Sequence, residues 1–174
     1  MKRLSSRFSQ EDTIVWGEKA EEVSGKYAAD LIYRRYLKLC KIARTIDATT
    51  PDKKIHSLRI QCKKLRYLLE FFVPLFPEAS LKEKIGKVKL LQEHLGNFND
   101  CVVQQKFFQD ILQRVSQLFF GKEVEVAESI GALCAMLHQL QQEERRAALA
   151  AFERFDSEET RTGFASSFSV EVSL

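Results

Sequence analysis

A run of basic side chains recurs at intervals of three and four residues in the first half of the chain: His56, Arg59, Lys63 and Arg66. On an α-helix this spacing places all four on one face, where neighbouring like charges repel one another. No acidic residue lies between Lys53 and Arg66 to relieve that repulsion. Arg binds phosphate oxygens through two parallel hydrogen bonds, and Lys binds them as a point charge. This basic stripe therefore predicts an anion site, and a rigid row of donors suits a linear chain of phosphates.

Two further groups of cations lie on other predicted helices. Arg34, Lys38, Lys41 and Arg44 lie opposite an apolar face, where a solvated surface and an anion contact fit the pattern equally well. Lys84 falls inside an apolar face and Lys87 at its margin, so these lysines either extend to water or border an anion-filled groove. The candidate anion-binding residues are His56, Arg59, Lys63, Arg66, Lys84, Lys87, Arg34, Lys38 and Lys41.

No residue pattern indicates catalysis, a metal or a cofactor. The acidic residues near the basic stripe are scattered: Glu70, Glu78, Glu83 and Glu93. The three histidines, His56, His94 and His138, lack metal-ligand spacing. The chain contains neither a glycine-rich phosphate loop nor a His-Glu-x-x-His motif. We therefore expect a protein that binds its ligand without transforming it.

Composition favours one soluble cytoplasmic domain. The chain has 174 residues, 45% of them hydrophobic, and a net charge of only +3. No window of 18 uncharged apolar residues could span a membrane, and no apolar segment follows the basic N-terminus as in a signal peptide. Four cysteines without a Cys-x-x-Cys pair are typical of small core residues in a reducing compartment: Cys40, Cys62, Cys101 and Cys134.

Apolar periodicity predicts an all-α fold, an antiparallel bundle of four to five long helices over residues 17–156. The first helix should cover residues 17–47, and the second should begin at Thr50-Pro51-Asp52 and end near Val73. A capping box at residues 80–83 should open a third helix that Gly96 ends. Asn99 should cap a fourth helix from Asp100 to about Phe119, and Gly121 should precede a fifth over residues 122–155. We expect residues 1–16 to be flexible and residues 157–174 to be a frayed tail.

Two segments together resemble the signatures of the CHAD domain, the conserved histidine α-helical domain. The first is Ile55-His56-Ser57-Leu58-Arg59, continued by Lys63-Lys64-Leu65-Arg66-Tyr67 and Glu70. The second is Leu91-Gln92-Glu93-His94-Leu95-Gly96, followed by Asn99-Asp100 and Val103. Arg145-Arg146 with Phe152 and Phe155 is similar to the closing helix of the family, so the resemblance covers residues 19–168.

The resemblance implies an all-α domain that binds inorganic polyphosphate along a basic groove. His56, Arg59, Lys63 and Arg66 match the first family motif, while Lys84 and Lys87 match basic positions before the second more loosely. Asp100 matches a family position, to which we assign a structural role at a helix start. A complete domain of this family has two bundles, and this chain resembles the C-terminal one. Either the chain is a fragment, or a second copy supplies the other wall of the groove.

Other functions remain open at this stage. Sequence-independent nucleic-acid binding is the second choice, because the basic stripe has few exposed aromatic residues for base stacking and no zinc-finger or RNA-binding motif appears. A helical interaction scaffold is a further alternative. If the ligand is polyphosphate, cytoplasmic polyphosphate granules are the expected location.

Overall fold

Regular structure in the described part of the chain is entirely helical. The computed structural model describes residues 18–169, with side chains from Ser24 onward, and that range contains no strand. Six α-helices and one 3-10 turn (Val73–Leu75) are present: α1 (Glu18–Ala43), α2 (Asp52–Phe71), α3 (Glu78–Leu112), α4 (Val115–Leu118), α5 (Glu123–Phe155) and α6 (Glu158–Phe168). This confirms the predicted all-α class, whereas the expected flexible segment 1–16 lies outside the described residues.

The central element of the bundle is α3, which packs against α2 on one side and α5 on the other. α1 packs against both α2 and α6. Apolar residues spaced three and four apart form one continuous core, as the periodicity predicts: on α2 they are Ile55, Leu58, Cys62, Leu65 and Leu69, and on α3 Leu81, Ile85, Val88, Leu91, Leu95 and Phe98. No described helix is long and apolar enough to cross a membrane.

The predicted break between a third and a fourth helix is wrong, since α3 runs without interruption through Gly96. A glycine ends a helix readily when it adopts a positive φ, but among the described residues only Gly121 does so, at 78°. Leu95 and Phe98 are both buried in the core and hold the chain helical on either side of Gly96. Asn99 and Asp100, expected at a helix start, consequently lie inside α3.

The helix-start signals are correct in position but not in detail. Pro51, not Thr50, occupies the N-cap of α2, and the Thr50 hydroxyl instead bonds to the Asp47 carboxylate at 2.9 Å. Likewise α3 begins at Glu78 after Pro77, so the predicted capping box at residues 80–83 lies within the helix. Proline before an acidic residue therefore marks both starts in this chain.

The expected frayed tail after Asp156 is wrong for residues 158–168, which form α6. Phe164 and Phe168 are buried in the core, and the Phe164 ring stacks on Tyr36 of α1 with centroids 4.0 Å apart. The corner between α5 and α6 is held by Arg44, which donates two hydrogen bonds of 2.7 Å to Asp156 and keeps the pKa of that carboxyl below its ordinary value. The last helix thus closes onto the first.

Candidate anion-binding site

The basic stripe of α2 lies along the seam where α2 packs against α3. At one end, His56 Nδ1 is 2.7 Å from Asn99 Oδ1, and at the other, Lys89 Nζ is 3.4 Å from a Glu70 oxygen. Between these contacts the two antiparallel helices face each other along the remaining residues of the stripe. We call this the α2–α3 groove, with the following walls: His56, Arg59, Lys63 and Arg66 on α2, and Lys89, Gln92, Gly96 and Asn99 on α3.

The middle of the α2 wall carries cations without counter-charges. Arg59 is half-buried and Lys63 exposed, and neither forms an ion pair with a carboxylate among residues 24–169. Arg66 is paired only weakly, its Nε lying 3.7 Å from Glu70. The ring of Tyr67 lies 5.6 Å from Lys63 Nζ and 5.0 Å from the Arg66 guanidinium carbon, so it holds both cations at the groove margin.

The α3 wall supplies polar groups and open space. Gln92, Gly96 and Asn99 lie three and four residues apart, which places them on the same face as Lys89. A Cβ at Gly96 would meet nothing within 4 Å beyond its own helix, so no packing requires a glycine there. Gln92 Oε1 and Arg66 Nε are buried, and neither makes a hydrogen bond within the described residues. Arg66 Nε can donate to a bound anion, and the Gln92 amide can do the same once it turns to present its NH₂.

His56 is oriented by a neutral partner. When its Nδ1 donates to Asn99 Oδ1, the exposed ring leaves Nε2 free to contact a ligand in the α2–α3 groove. An imidazole that carries protons on both nitrogens donates from Nε2 to a phosphate oxygen and keeps its contact with Asn99.

Lys84 and Lys87 lie outside this groove. The Lys84 ammonium lies 5.8 Å from the Phe164 ring and 5.7 Å from the Phe168 ring, both on α6. Lys87 Nζ donates to the Thr160 hydroxyl at 3.2 Å, also on α6. Lys89 and Asn99 contact α2 instead, so the structure places the two predicted lysines on a different side of α3 from the basic stripe.

The predicted cations of α1 are also separate from the groove. Arg34, Lys38 and Lys41 are all exposed, and Arg34 forms an ion pair with Asp30. α1 meets α2 where Arg35 donates to Gln61 at 3.1 Å. Gln61 is two residues from both Arg59 and Lys63 and therefore points away from them. The α1 cations form a second basic surface on the far edge of α2.

The sequence analysis did not place Lys89, Gln92, Gly96 or Asn99 beside the basic stripe, and it assigned Gly96 and Asn99 to helix ends. Lys89, Gln92 and Asn99 have the spacing of one helical face, which was the available signal. The predicted helix break at Gly96 hid it, because two separate helices would not share a face. The register between α2 and α3, which brings this face to the basic stripe, depends on core packing and has no local signature.

The opposite seam of α3, facing α5, pairs its charges. His94 Nδ1 lies 2.8 Å from Glu144 Oε2, and Asn97 donates to the same carboxylate at 3.0 Å. Buried Arg145 donates to Asp52 at 2.6 Å and to the Ala48 carbonyl at 3.2 Å, which fixes α5 to the start of α2. Within residues 18–169, no three His, Cys, Asp or Glu side chains cluster so as to hold a metal ion.

A comparison of the sequence with known protein families agrees with the motifs found on α2 and α3. The family model of the CHAD domain matches residues 2–109, well over half of the 174-residue chain, including α1, α2 and most of α3. Residues 145–155, which resemble the closing helix of the family, lie beyond the match. No curated protein matches the chain with significant similarity. CHAD domains are associated in general with polyphosphate and triphosphate binding. The chain belongs to the CHAD domain family.

Proposed function

We propose that the protein binds inorganic polyphosphate in the α2–α3 groove and does not catalyse its turnover. The observation that carries the proposal is the pair Arg59 and Lys63, which lie between two interhelical contacts without an acidic partner in the described chain. Unpaired cations on a rigid helix favour the binding of an anion, because their side chains lose little conformational freedom when the anion binds.

The length of the groove favours a chain of phosphates over a single ion. A rise of 1.5 Å per residue separates His56 from Arg66 by about 15 Å along α2. Cations spread over that length cannot converge on one tetrahedral anion, but they can each contact a successive phosphate. Arg66 Nε and, once its amide turns, the Gln92 side chain add polar contacts at the end nearer Glu70, since neither Arg66 Nε nor Gln92 Oε1 makes a hydrogen bond among the described residues.

Nucleic-acid binding is the second candidate, and one observation favours it. Tyr67 is 48% exposed beside Lys63 and Arg66, where a base could stack on its free face. A single aromatic ring is a small platform for such binding. Competition between polyphosphate and single-stranded DNA of equal charge distinguishes the two ligands, and displacement of polyphosphate by equimolar DNA would favour the nucleic acid.

The test is a titration of polyphosphate chains of increasing length into the protein at several salt concentrations. We expect affinity to rise with chain length until the groove is filled, and to fall with a log–log salt slope of several units. Replacing Arg59 and Lys63 together by Ala should weaken binding by about 2–4 kcal/mol, or roughly 1–2 per charge-assisted contact.

A matched control removes the same charge elsewhere. Lys38→Ala with Lys41→Ala changes two exposed lysines of α1 and should weaken binding far less. If the folded Arg59/Lys63 variant keeps its affinity, the site lies elsewhere. Equal losses in both double variants would mean that net charge alone attracts the ligand.

Two further proposals depend on this one. The protein should accumulate at polyphosphate granules in the cytoplasm, and a fluorescent fusion should lose that location when Arg59 and Lys63 are replaced by Ala. A second copy should also face the groove and contact the same polyphosphate chain, so that polyphosphate shifts the protein toward dimers in sedimentation measurements. A monomer that binds long chains at full affinity would contradict the second proposal.

A further inference from the structure

A groove of about 380 Å³ runs along one face of α5. Side chains of α5 alone line it, and we call it the α5 groove: Leu133, Met136, Leu137, Gln139, Leu140 and Glu143. Its apolar residues lie three and four positions apart, which places them on one side of the helix. Leu133, Met136 and Leu140 are 43%, 68% and 45% exposed. A contiguous apolar stripe in contact with solvent is typical of a surface that binds another protein.

The charge of α5 around this groove is negative. Between Lys122 and Arg145 the sequence contains five glutamates and neither lysine nor arginine. Of these carboxylates, Glu144 is held by polar side chains of α3. Glu125 and Glu143 are exposed, and neither forms an ion pair among residues 24–169. The surface therefore favours a cationic partner, in contrast to the basic stripe of α2.

The two unpaired carboxylates lie at opposite ends of the apolar stripe. Glu125 comes eleven residues before Met136 and Glu143 seven residues after it, so at about 100° per residue both lie within roughly 20° of Met136 around the helix. A rise of 1.5 Å per residue separates the two glutamates by about 27 Å. An apolar middle with acidic ends complements an amphipathic helix that has an apolar face and Lys or Arg at its ends. The unbranched side chain of Met136 can adapt to the shape of such a helix.

The C-terminal end of the chain lies too far away to fill the α5 groove. Phe168 at the end of α6 contacts Phe76, with ring centroids 5.1 Å apart, just beyond the last turn of α2. Gln141, which lies among the groove residues, instead contacts Asp52 in the first turn of α2. The 20 residues of α2 separate these two places by about 30 Å, whereas residues 170–174 span at most about 18 Å. An occupant therefore comes from residues 1–17 or from another molecule.

We propose that the α5 groove docks an amphipathic helix of a partner protein. The apolar face of that helix packs against Met136 and its apolar neighbours, and Lys or Arg side chains at its ends pair with Glu125 and Glu143. The charge of the surface favours this partner over a second copy that docks α5 against α5, because such a pair brings two acidic helices together. The docking surface shares no residue with the α2–α3 groove, so it does not depend on the proposed binding of polyphosphate.

The experiment uses two synthetic helical peptides that share one apolar face, with leucine at positions i, i+3, i+4 and i+7. One peptide carries lysine at both ends and the other carries glutamate. Each is titrated into the full chain without polyphosphate and followed by fluorescence anisotropy. The lysine peptide should bind roughly tenfold more tightly, because only its ends complement Glu125 and Glu143. As a second readout, the bound lysine peptide should slow the oxidation of Met136 by peroxide, measured by peptide mass spectrometry.

Variants of exposed residues locate the bound peptide on α5. Met136→Asp with Leu140→Asp should weaken binding of the lysine peptide by roughly tenfold or more, because apolar contact area is lost. Val124→Asp is the matched control, since Val124 is 71% exposed on the same helix. It lies nine residues from Leu133 and therefore on the opposite side, so binding should be unchanged. All three side chains are exposed, and helical circular dichroism should show that both variants fold.

Several results would overturn the proposal. Equal binding of the two peptides would remove the role of charge, and unchanged binding after Met136→Asp with Leu140→Asp would place the peptide elsewhere. A dimer of the free chain that this double variant converts to a monomer would identify a second copy as the occupant. Displacement of the lysine peptide by a synthetic peptide of residues 1–17 would identify that segment instead.

Discussion

The two sides of α3 carry similar side chains in opposite circumstances. On the side that faces α5, His94 and Asn97 both contact the Glu144 carboxylate, at 2.8 and 3.0 Å. On the side that faces α2, His56 contacts only the neutral Asn99, and Arg59 has no carboxylate partner within the described chain. Residue type therefore does not separate the paired structural positions from the candidate ligand positions here, whereas the partner of each residue does.

The comparison also bears on burial. The Arg145 side chain is 8% exposed, and its ion pair with Asp52 together with its hydrogen bonds to two backbone carbonyls compensates for that burial. Lys63 has no carboxylate partner within the described chain and stays exposed. Lys84 departs from this pattern, since it is buried and donates to the Ser80 hydroxyl and not to a carboxylate.

The largest expected effect concerns stability. Arg145→Met removes hydrogen bonds to the Thr50 and Ala48 carbonyls and leaves Asp52 without its cation, so unfolding free energy should fall by about 2–3 kcal/mol. Arg59→Met should change it by less than about 0.5 kcal/mol. Urea denaturation followed by helical circular dichroism measures both, and equal losses would remove the distinction between the two sides.

The next effect concerns the two histidines. His56→Ala should weaken polyphosphate binding by roughly three- to tenfold, because the ring lies at the Asn99 end of the groove and leaves Nε2 for the ligand. His94→Ala should leave binding unchanged, because Glu144 holds that ring away from the groove. Titration of long polyphosphate chains into both variants measures the difference. Equal affinities of wild type and His56→Ala would make His56 a structural residue.

A smaller effect tests the openness of the α3 wall. Gly96→Ala and Gly131→Ala should each stabilise the protein by about 0.5–1 kcal/mol, because neither Cβ meets another atom within 4 Å and alanine favours helix. Glutamate should separate the two positions. Gly96→Glu places a negative charge in the groove and should weaken polyphosphate binding severalfold, whereas Gly131→Glu, on exposed α5 surface, should not. Thermal unfolding measures the stability of the two alanine variants, and the polyphosphate titration measures the affinity of the two glutamate variants.

The smallest effect is an increase in affinity. Glu70 lies 3.7 Å from Arg66 and 3.4 Å from Lys89, so it partly neutralises one end of the groove. Glu70→Gln should free both cations and tighten polyphosphate binding by roughly two- to threefold, as expected for surface ion pairs. Glu78→Gln, which removes an equal charge beside Lys82, should not. Weaker binding after Glu70→Gln would show that this carboxylate positions the cations.

The parts of the site that the sequence could predict are those set by a single helix. The spacing of His56, Arg59, Lys63 and Arg66 places them on one face of α2 wherever that helix packs. The α3 wall could not be predicted, because its position depends on how two antiparallel helices align over a shared core. Lys84 and Lys87 show the same limit, since their spacing gave a face but not the neighbouring helix.

Two errors in the predicted fold have one cause, which is that packing overrides local preference. Glycine is a common residue at the end of a helix, yet α3 continues through Gly96 because Leu95 and Phe98 on either side of it are buried in the core. The Ser- and Thr-rich composition after Asp156 indicates a tail, yet Phe164 and Phe168, four residues apart, dock α6 on the core. The fold class, by contrast, follows from periodicity repeated over many residues and was predicted correctly.

The contact of α6 with α1 also determines the order in which the protein can mature during synthesis. Tyr36 stacks on Phe164, which leaves the ribosome more than a hundred residues later. Until then the aromatic face of α1 stays uncovered, whereas both helices of the α2–α3 groove lie within residues 52–112 and are synthesised earlier. A nascent chain can thus bring the two helices of the groove together before α6 covers α1, so a ligand of the groove meets a chain whose core is still incomplete.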